Sequence, residues 1–222
     1  YVYLCFDVNE ETLPAAVAGL KTCGIRGFNL TMPNKNKIVE LLDDLSPEAQ
    51  LIGAVNTVLN DNGKLIGYNT DGYGFMQSVR DAGHDITGKN ITVMGVGGAS
   101  MAICAQSALD GAASVHIFAR RTSRYWNRTQ KFAENLSAKT GCQVCLFDND
   151  DHTALRDSIA QSYLLINATS VGMVPDIDDT IIKDTSLFHP ELVVADVVYE
   201  PQETRLLREA KATGCQTFNG MY

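Results

Sequence analysis

The chain has 222 residues, a 45% apolar composition and a formal net charge of −8. That length suits one large domain or two small ones. No apolar run approaches the roughly 20 residues of a membrane-spanning helix, and the acidity argues against a nucleic-acid partner, which needs a basic face.

Six cysteines lie scattered through apolar runs with no signal peptide before them, which points to reduced, buried thiols and a cytoplasmic location. Cys142 and Cys145 form a C-x-x-C inside an expected strand. No second ligand pair stands nearby, so the pair reads as structural and no metal is expected. The chain opens at Tyr1 inside an apolar run and closes on Gly220-Met221-Tyr222, so it is expected to be part of something longer.

Val2–Phe6 predicts a first strand. Glu11 to Thr22 predicts a helix with Leu13, Val17 and Leu20 on one face and Gly24 closing it. Gly27 to Thr31 predicts a short strand ended by Pro33, and Asn36 to Leu42 a helix. Ser46-Pro47-Glu48 is a helix start, with Ser as N-cap and Pro at the first helical position. Ala54–Leu59 and Lys64–Tyr68 predict a hairpin around Asp61-Asn62-Gly63. Asn69-Thr70-Asp71-Gly72 then opens a helix running to about Ala82, where a domain joint is expected.

From Gly88 the pattern becomes regular β-α alternation. Strands are predicted at Ile91–Met94, Ser114–Phe118, Val144–Phe147, Leu164–Asn167, Leu192–Val198 and Cys215–Phe218. Helices are predicted at Ala99–Leu109, Ser123–Lys139 and Thr204–Ala212. Such alternation specifies an α/β fold with a parallel sheet covered on both faces.

Gly95-Val96-Gly97-Gly98-Ala99-Ser100 follows a predicted strand and opens a predicted helix, the context of a dinucleotide-binding loop. Gly95 permits a tight turn. Gly97 and Gly98 let a diphosphate approach the backbone, where the helix N-terminus offers free amides. Ser100 replaces the third glycine of the fingerprint with a residue still small enough for close packing. The end of the next strand carries Ala119-Arg120-Arg121-Thr122-Ser123-Arg124, with no acid to accept from both ribose hydroxyls. Guanidinium pairs with phosphate through two parallel bonds, so this loop fits a 2′-phosphate and favours NADP over NAD. Three cations at the positive end of a helix dipole are otherwise poorly placed.

In the first half, Lys35 stands just past Pro33, Asn56 and Thr57 interrupt an apolar strand, and Thr70 and Asp71 lie at a strand–helix junction. Oxidation of a carbinol by hydride loss needs a group to take the hydroxyl proton. A partly buried lysine held by a carboxylate can do that, a contribution typically of about 10²–10⁴ in rate. Residue by residue, a surface lysine with capping Thr and Asp is an equally good reading.

Together these segments resemble the shikimate dehydrogenase family. Asn29-Leu30-Thr31-Met32-Pro33-Asn34-Lys35, Ala54–Thr57, Asn69–Gly72, Gly95–Ala99, Asn167–Met173 and Asp196–Pro201 fall in the family's order along nearly the whole chain. Asn34 stands where the biosynthetic enzymes usually carry His, which is similar to the quinate/shikimate dehydrogenase branch. The resemblance implies an N-terminal α/β substrate domain over residues 1–72 with a return at 219–222, a Rossmann-type NAD(P)-binding domain over 73–218, and a cleft between them. It implies Lys35 and Asp71 as the catalytic pair, Thr31, Asn56 and Thr70 on the ring hydroxyls, and Tyr199 on the substrate carboxylate. Gly95, Val96, Gly97, Gly98, Ala99, Ala119, Arg120, Arg121, Thr122 and Arg124 would hold the adenosine and diphosphate. Thr169, Ser170, Met173, Val197, Val198 and Gly220 would line the nicotinamide end.

The implied reaction interconverts 3-dehydroshikimate and shikimate, and extends to 3-dehydroquinate and quinate, in a monomer or homodimer with no nucleic-acid or membrane partner. The branch often carries an acid at the position of Thr122, which would favour NAD; its absence supports NADP and leaves dual use open. The family's opening strand, with a serine pair for the substrate carboxylate, would precede Tyr1, and its closing helices, with a Gln over the substrate, would follow Tyr222. Two other readings remain: a related NADP dehydrogenase for another small hydroxy acid, and a dinucleotide-sensing protein of the same fold without turnover.

Overall fold

The computed structural model describes residues 2–220, which divide into two compact units between Asp71 and Gly72. In the first unit, α1 (Leu13–Thr22) precedes β1 (Gly27–Asn29). Next come α2 (Asn34–Lys37), which runs into a 3-10 turn at Ile38–Leu41, then β2 (Asp44–Leu45) and α3 (Pro47–Ile52). The hairpin β3 (Thr57–Asp61) and β4 (Lys64–Tyr68) follows, and α4 (Asp71–Asp81) begins on the unit's last residue. The sheet order is β1-β3-β4-β2, with β1 antiparallel to β3 and β2 parallel to β4. The hairpin turns on Asn62 (φ 51°) and Gly63 (φ 92°), the two positive φ values that a two-residue turn of matching twist requires. Leu13 and Val17 of α1 pack with Ile38, Ala49, Val55, Val58 and Leu65 to form the core.

Several boundaries differ from the periodicity. Val2–Phe6 is not a strand: among the described residues it joins no sheet, and Val2, Tyr3, Leu4 and Phe6 stay largely exposed beside a groove of about 530 Å³ lined also by α1 and β1. A short apolar run alone does not make a strand without a ladder partner. α1 starts at Leu13 because the Asn9 side chain accepts from the amides of Glu11 and Thr12 (3.0 and 2.9 Å), which holds 9–12 in a turn. β3 starts at Thr57, three residues late: the amide of Val55 is taken by the carbonyl of Lys35, outside the sheet, and Asn56 makes one last bond to Tyr68 O at the end of β4. The Ser46 cap is as expected, its hydroxyl accepting from Ala49 N at 3.3 Å with Pro47 first in the helix.

The second unit is a six-stranded, all-parallel sheet: β5 (Asn90–Met94), β6 (Ser114–Ala119), β7 (Gln143–Asp148), β8 (Leu164–Asn167), β9 (Val193–Asp196) and β10 (Gln216–Asn219). The order β10-β9-β8-β5-β6-β7 is that of the doubly wound dinucleotide-binding fold, so the α/β expectation holds. The connecting helices are α5 (Gly98–Leu109), α6 (Trp126–Thr140), α7 (His152–Gln161) and α8 (Arg205–Ala212). Leu155 and Ile159 of α7 and Leu206, Leu207 and Ala210 of α8 share one core with Met94, Phe118, Leu165 and Val194, on one face of the sheet. Asn219 closes β10 in this unit, while Met221 and Tyr222, part of the expected return, lie outside the described residues.

Burial pushes the Cys104 and Cys142 thiols up to about 12 and about 11, and Cys215 is buried too, but Cys5 and Cys23 are exposed, against the expectation that all six are buried. Among the described residues no group of three or more His, Cys, Asp or Glu is arranged to hold a metal, and no helix is long and apolar enough to cross a membrane.

Candidate active site and cofactor loops

In the first unit, five residues singled out by the sequence, Lys35, Asn56, Thr57, Thr70 and Asp71, share one hydrogen-bonded cluster. Lys35 Nζ on α2 donates to Asp71 Oδ2 at 2.7 Å, with side chains 22% and 34% exposed. The other carboxylate oxygen, Asp71 Oδ1, accepts from Asn56 Nδ2 at 2.7 Å, and the same nitrogen lies 3.0 Å from Thr70 Oγ1. The orientation of the Asn56 amide is fixed by its oxygen, which accepts from Thr70 N (3.0 Å) and Thr57 Oγ1 (2.9 Å). Asn69 caps the start of α4 by accepting from Asp71 N at 3.2 Å and donates to Ala54 O at 3.1 Å, tying the helix start to the strand approach.

Both carboxylate oxygens of Asp71 are therefore engaged by donors, and only one of the three lysine protons is used on Asp71. A half-exposed ammonium is held in place with protons left to give. Thr31 lies exposed between β1 and α2, where its carbonyl accepts from Asn34 N at 3.0 Å. Asn34 is itself buried, donates to Val8 O at 2.6 Å and leaves its Oδ1 without a partner.

In the second unit, the glycine loop joins β5 to α5 next to β8, the switch point where a doubly wound sheet binds ligands at its carboxyl edge. Gly95 has φ +110°, and a Cβ there would stand 2.8 Å from Thr169 Cγ2 and 2.9 Å from Ala168 O, so this turn requires glycine. A Cβ on Gly97 or Gly98 would meet nothing within 4 Å. No neighbour in the protein demands glycine at these two exposed positions, whereas a diphosphate lying on the first amides of α5 would. Ser100, buried, donates from Oγ to Gly95 O at 2.6 Å and so pins the turn.

Arg120, Arg121, Thr122 and Arg124 are exposed in the loop after Ala119, and among the described residues none of the three arginines is in an ion pair. The Arg121 guanidinium lies over the Trp126 ring, 4.7 Å from its centroid, and Arg124 lies over Tyr125 at the same distance. Three unneutralised guanidiniums at this edge fit a nucleotide phosphate.

At the ends of β8 and β9, Thr169 is half-buried, Ser170 and Met173 are exposed, Val197 is half-buried and Val198 is buried. Tyr199 is 60% exposed and Gly220 N donates to Asp196 O at 2.9 Å. Beneath these loops lie two residues to which the sequence reading gave no role. Asn167 and Asp196 are both fully buried and face each other across β8 and β9. Their signal in the sequence is a polar side chain at the end of one apolar run, Leu164–Asn167, and inside another, Leu192–Val198.

The comparisons with known proteins agree with this layout. The profile described as Shikimate dehydrogenase substrate binding domain matches residues 1–58. A protein named shikimate dehydrogenase (NADP(+)) from Listeria innocua is 49% identical over 221 residues, covering 100% of this chain and 76% of the relative. The chain belongs to the shikimate dehydrogenase family. It is therefore an oxidoreductase by descent, and the sensing alternative finds no support among these relatives. A quinate/shikimate dehydrogenase from Escherichia coli is 40% identical over 220 residues, covering 99% of this chain and 76% of that one. A crystal structure of shikimate 5-dehydrogenase from Listeria monocytogenes in complex with shikimate and NAD superposes with a TM-score of 0.97 at 48% identity. It covers 100% of this chain and 76% of that chain.

Proposed function

We propose that this chain catalyses the reversible NADP-dependent reduction of 3-dehydroshikimate to shikimate, with 3-dehydroquinate and quinate as a second pair and NAD as a weaker cofactor. The observation that carries the reading is the Lys35–Asp71–Asn56 cluster within a chain of this family. The relatives named for NADP and for both substrates support the same assignment.

In this reading residues 1–72, with the return at 219–222, bind substrate, and 73–218 bind the cofactor. The bound nicotinamide supplies or accepts the hydride at the substrate carbon. Lys35 gives its proton to the carbonyl oxygen during reduction and takes it back during oxidation, while Asp71 fixes the ammonium. Asn56 braces Asp71, and Thr31 and Thr70 offer hydroxyls to the ring hydroxyls. Tyr199 reaches the carboxylate. Gly97 and Gly98 admit the diphosphate, and Arg120, Arg121 and Arg124 surround the 2′-phosphate. The protein acts in the cytoplasm as a monomer or homodimer on small molecules alone.

The test is NADP reduction by the intact enzyme with shikimate and, separately, with quinate, beside Lys35→Ala. Turnover with shikimate, falling by about 10²–10⁴ in the variant, is expected. Equal activity of the variant would remove Lys35 from the chemistry, and no turnover of either substrate would reject the function.

A further inference from the structure

Asp196 closes β9 at zero exposure, and the two oxygens of its carboxylate do different work. Oδ1 accepts from Asn167 Nδ2 at 3.0 Å and from Val198 N at 2.9 Å. Oδ2 accepts from the hydroxyl of Thr204 at 2.8 Å, and Thr204 is the N-cap of α8. One oxygen therefore faces the loops at the carboxyl edge of the sheet and the other faces a helix start.

The loop-facing side extends further. Asn167 Nδ2 also donates to Val171 O at 3.1 Å, and its Oδ1 accepts from Thr169 N (3.1 Å) and Thr169 Oγ1 (2.7 Å). Thr169 Oγ1 in turn accepts from Val171 N at 3.1 Å, and its methyl lies where a Cβ on Gly95 would have to go. A single buried carboxylate oxygen thus joins the backbone after β9 to the loop after β8, which abuts the glycine turn after β5. The neighbours that contact the carboxylate are the neutral Asn167, Val198 and Thr204, so no cation accounts for a charge in this place, and burying it costs stability. A costly group retained with all its donors matched is the pattern of a group kept for position.

We propose that Asp196 is a positioning residue for hydride transfer: through Oδ1 it holds the 169–171 and 197–198 segments in the register the nicotinamide end of the cofactor needs, while Oδ2 serves only the helix. This rests on the assignment of those loops to the nicotinamide under the proposed function. Cofactor anchoring at the arginine loop after β6 is independent of it, so losing Oδ1 slows the chemical step more than it weakens binding.

The experiment compares Asp196→Ala, Asp196→Asn and Thr204→Val in the intact enzyme, with kcat, KM for NADP and thermal midpoint measured for each. Asp196→Ala is expected to lower kcat at least tenfold with KM for NADP changed less than threefold. Asp196→Asn is expected to restore most of it. Its amide oxygen can take both loop donors, and turning the amide the other way would set its NH₂ against Asn167 Nδ2 and Val198 N. Thr204→Val is expected to lower the thermal midpoint but keep kcat. Should Asp196→Ala not fold, Asn167→Ser severs the same link from β8 and is expected to lower kcat likewise. Wild-type kcat in the alanine variant, an asparagine variant as impaired as alanine, or a Thr204→Val loss of kcat matching it would each overturn the proposal. An inactive wild-type enzyme would instead reject the proposed function itself.

Discussion

Replacing Asp71 by Asn tests the cluster with almost no change of shape. In the native arrangement Asp71 faces two donors, Lys35 Nζ and Asn56 Nδ2, each at 2.7 Å. A carboxylate accepts from both, whereas an amide offers one oxygen and one NH₂, so one contact becomes donor against donor. Asn56 cannot relieve this by turning over, because its oxygen already accepts from Thr70 N and Thr57 Oγ1. The ion pair itself contributes little to stability, since side chains 22% and 34% exposed remain in reach of water. The unsatisfied donor costs more, about 1–3 kcal/mol. For a chain of this size that is a fall in Tm of roughly 2–4 °C per kcal/mol.

The catalytic loss is larger, because Lys35 is no longer held where its proton is needed, and a fall in kcat of about 10²–10⁴ is expected. KM for NADP should be unchanged, since the cofactor loops belong to the second unit. Shikimate-dependent NADPH formation and a thermal melt on the same preparation read both effects. An Asp71→Asn enzyme with wild-type kcat would refute the proton-transfer role, and one with wild-type Tm would refute the donor argument.

Arg120→Ala should lower kcat/KM for NADP by about 10- to 100-fold, as expected for loss of a charge-assisted contact, and change that for NAD far less; equal losses would mean that no 2′-phosphate is read there. Trp126 is the single tryptophan of the chain and lies under Arg121. Its emission should therefore change on adding NADP, and Trp126→Leu should raise KM for NADP about two- to fivefold, the equivalent of one exposed cation–π contact; an unresponsive emission with unchanged KM would detach the stack from the cofactor. Burial pushes the Asp196 carboxyl up to about 6 from 3.8. Between those values the folded state binds the proton more readily than the unfolded chain, so this group's contribution to stability falls as pH rises from about 4 to 6. The stability difference between Asp196→Asn and wild type should move in favour of the variant across that window by up to about 3 kcal/mol; a pH-independent difference would show that Asp196 does not titrate there.

What was legible in the sequence, and what was not, follows from where the information resides. The parallel sheet is legible because Ile91–Met94, Leu164–Asn167 and Val193–Asp196 are buried on both faces and read as apolar runs with one polar residue each. α7 leaves little trace in the sequence because its buried face is only Leu155, Ser158 and Ile159, although Asp151 caps it by accepting from Ala154 N at 2.9 Å. Val2–Phe6 looks like a strand because a short unbroken apolar run reports a liking for burial and says nothing of a ladder partner.

The site divides the same way. Lys35 and Asp71 are recognisable as residue types able to move a proton, but their 2.7 Å contact depends on α2 coming back to the segment that follows the β3–β4 hairpin, within the first unit, which no local pattern encodes. Asn167 and Asp196 were more hidden still. Asn167 reads locally as the polar end of a strand and Asp196 as a polar interruption of one, and their pairing appears only when the register of β8 on β9 sets one opposite the other. Buried polar pairs of this kind are specified by topology, and in this fold the topology sets this pair at the carboxyl edge of the sheet, where β8 ends beside the glycine turn and β9 ends next to β8. The feature hardest to read from the sequence is therefore also the one to which the proposed positioning role belongs.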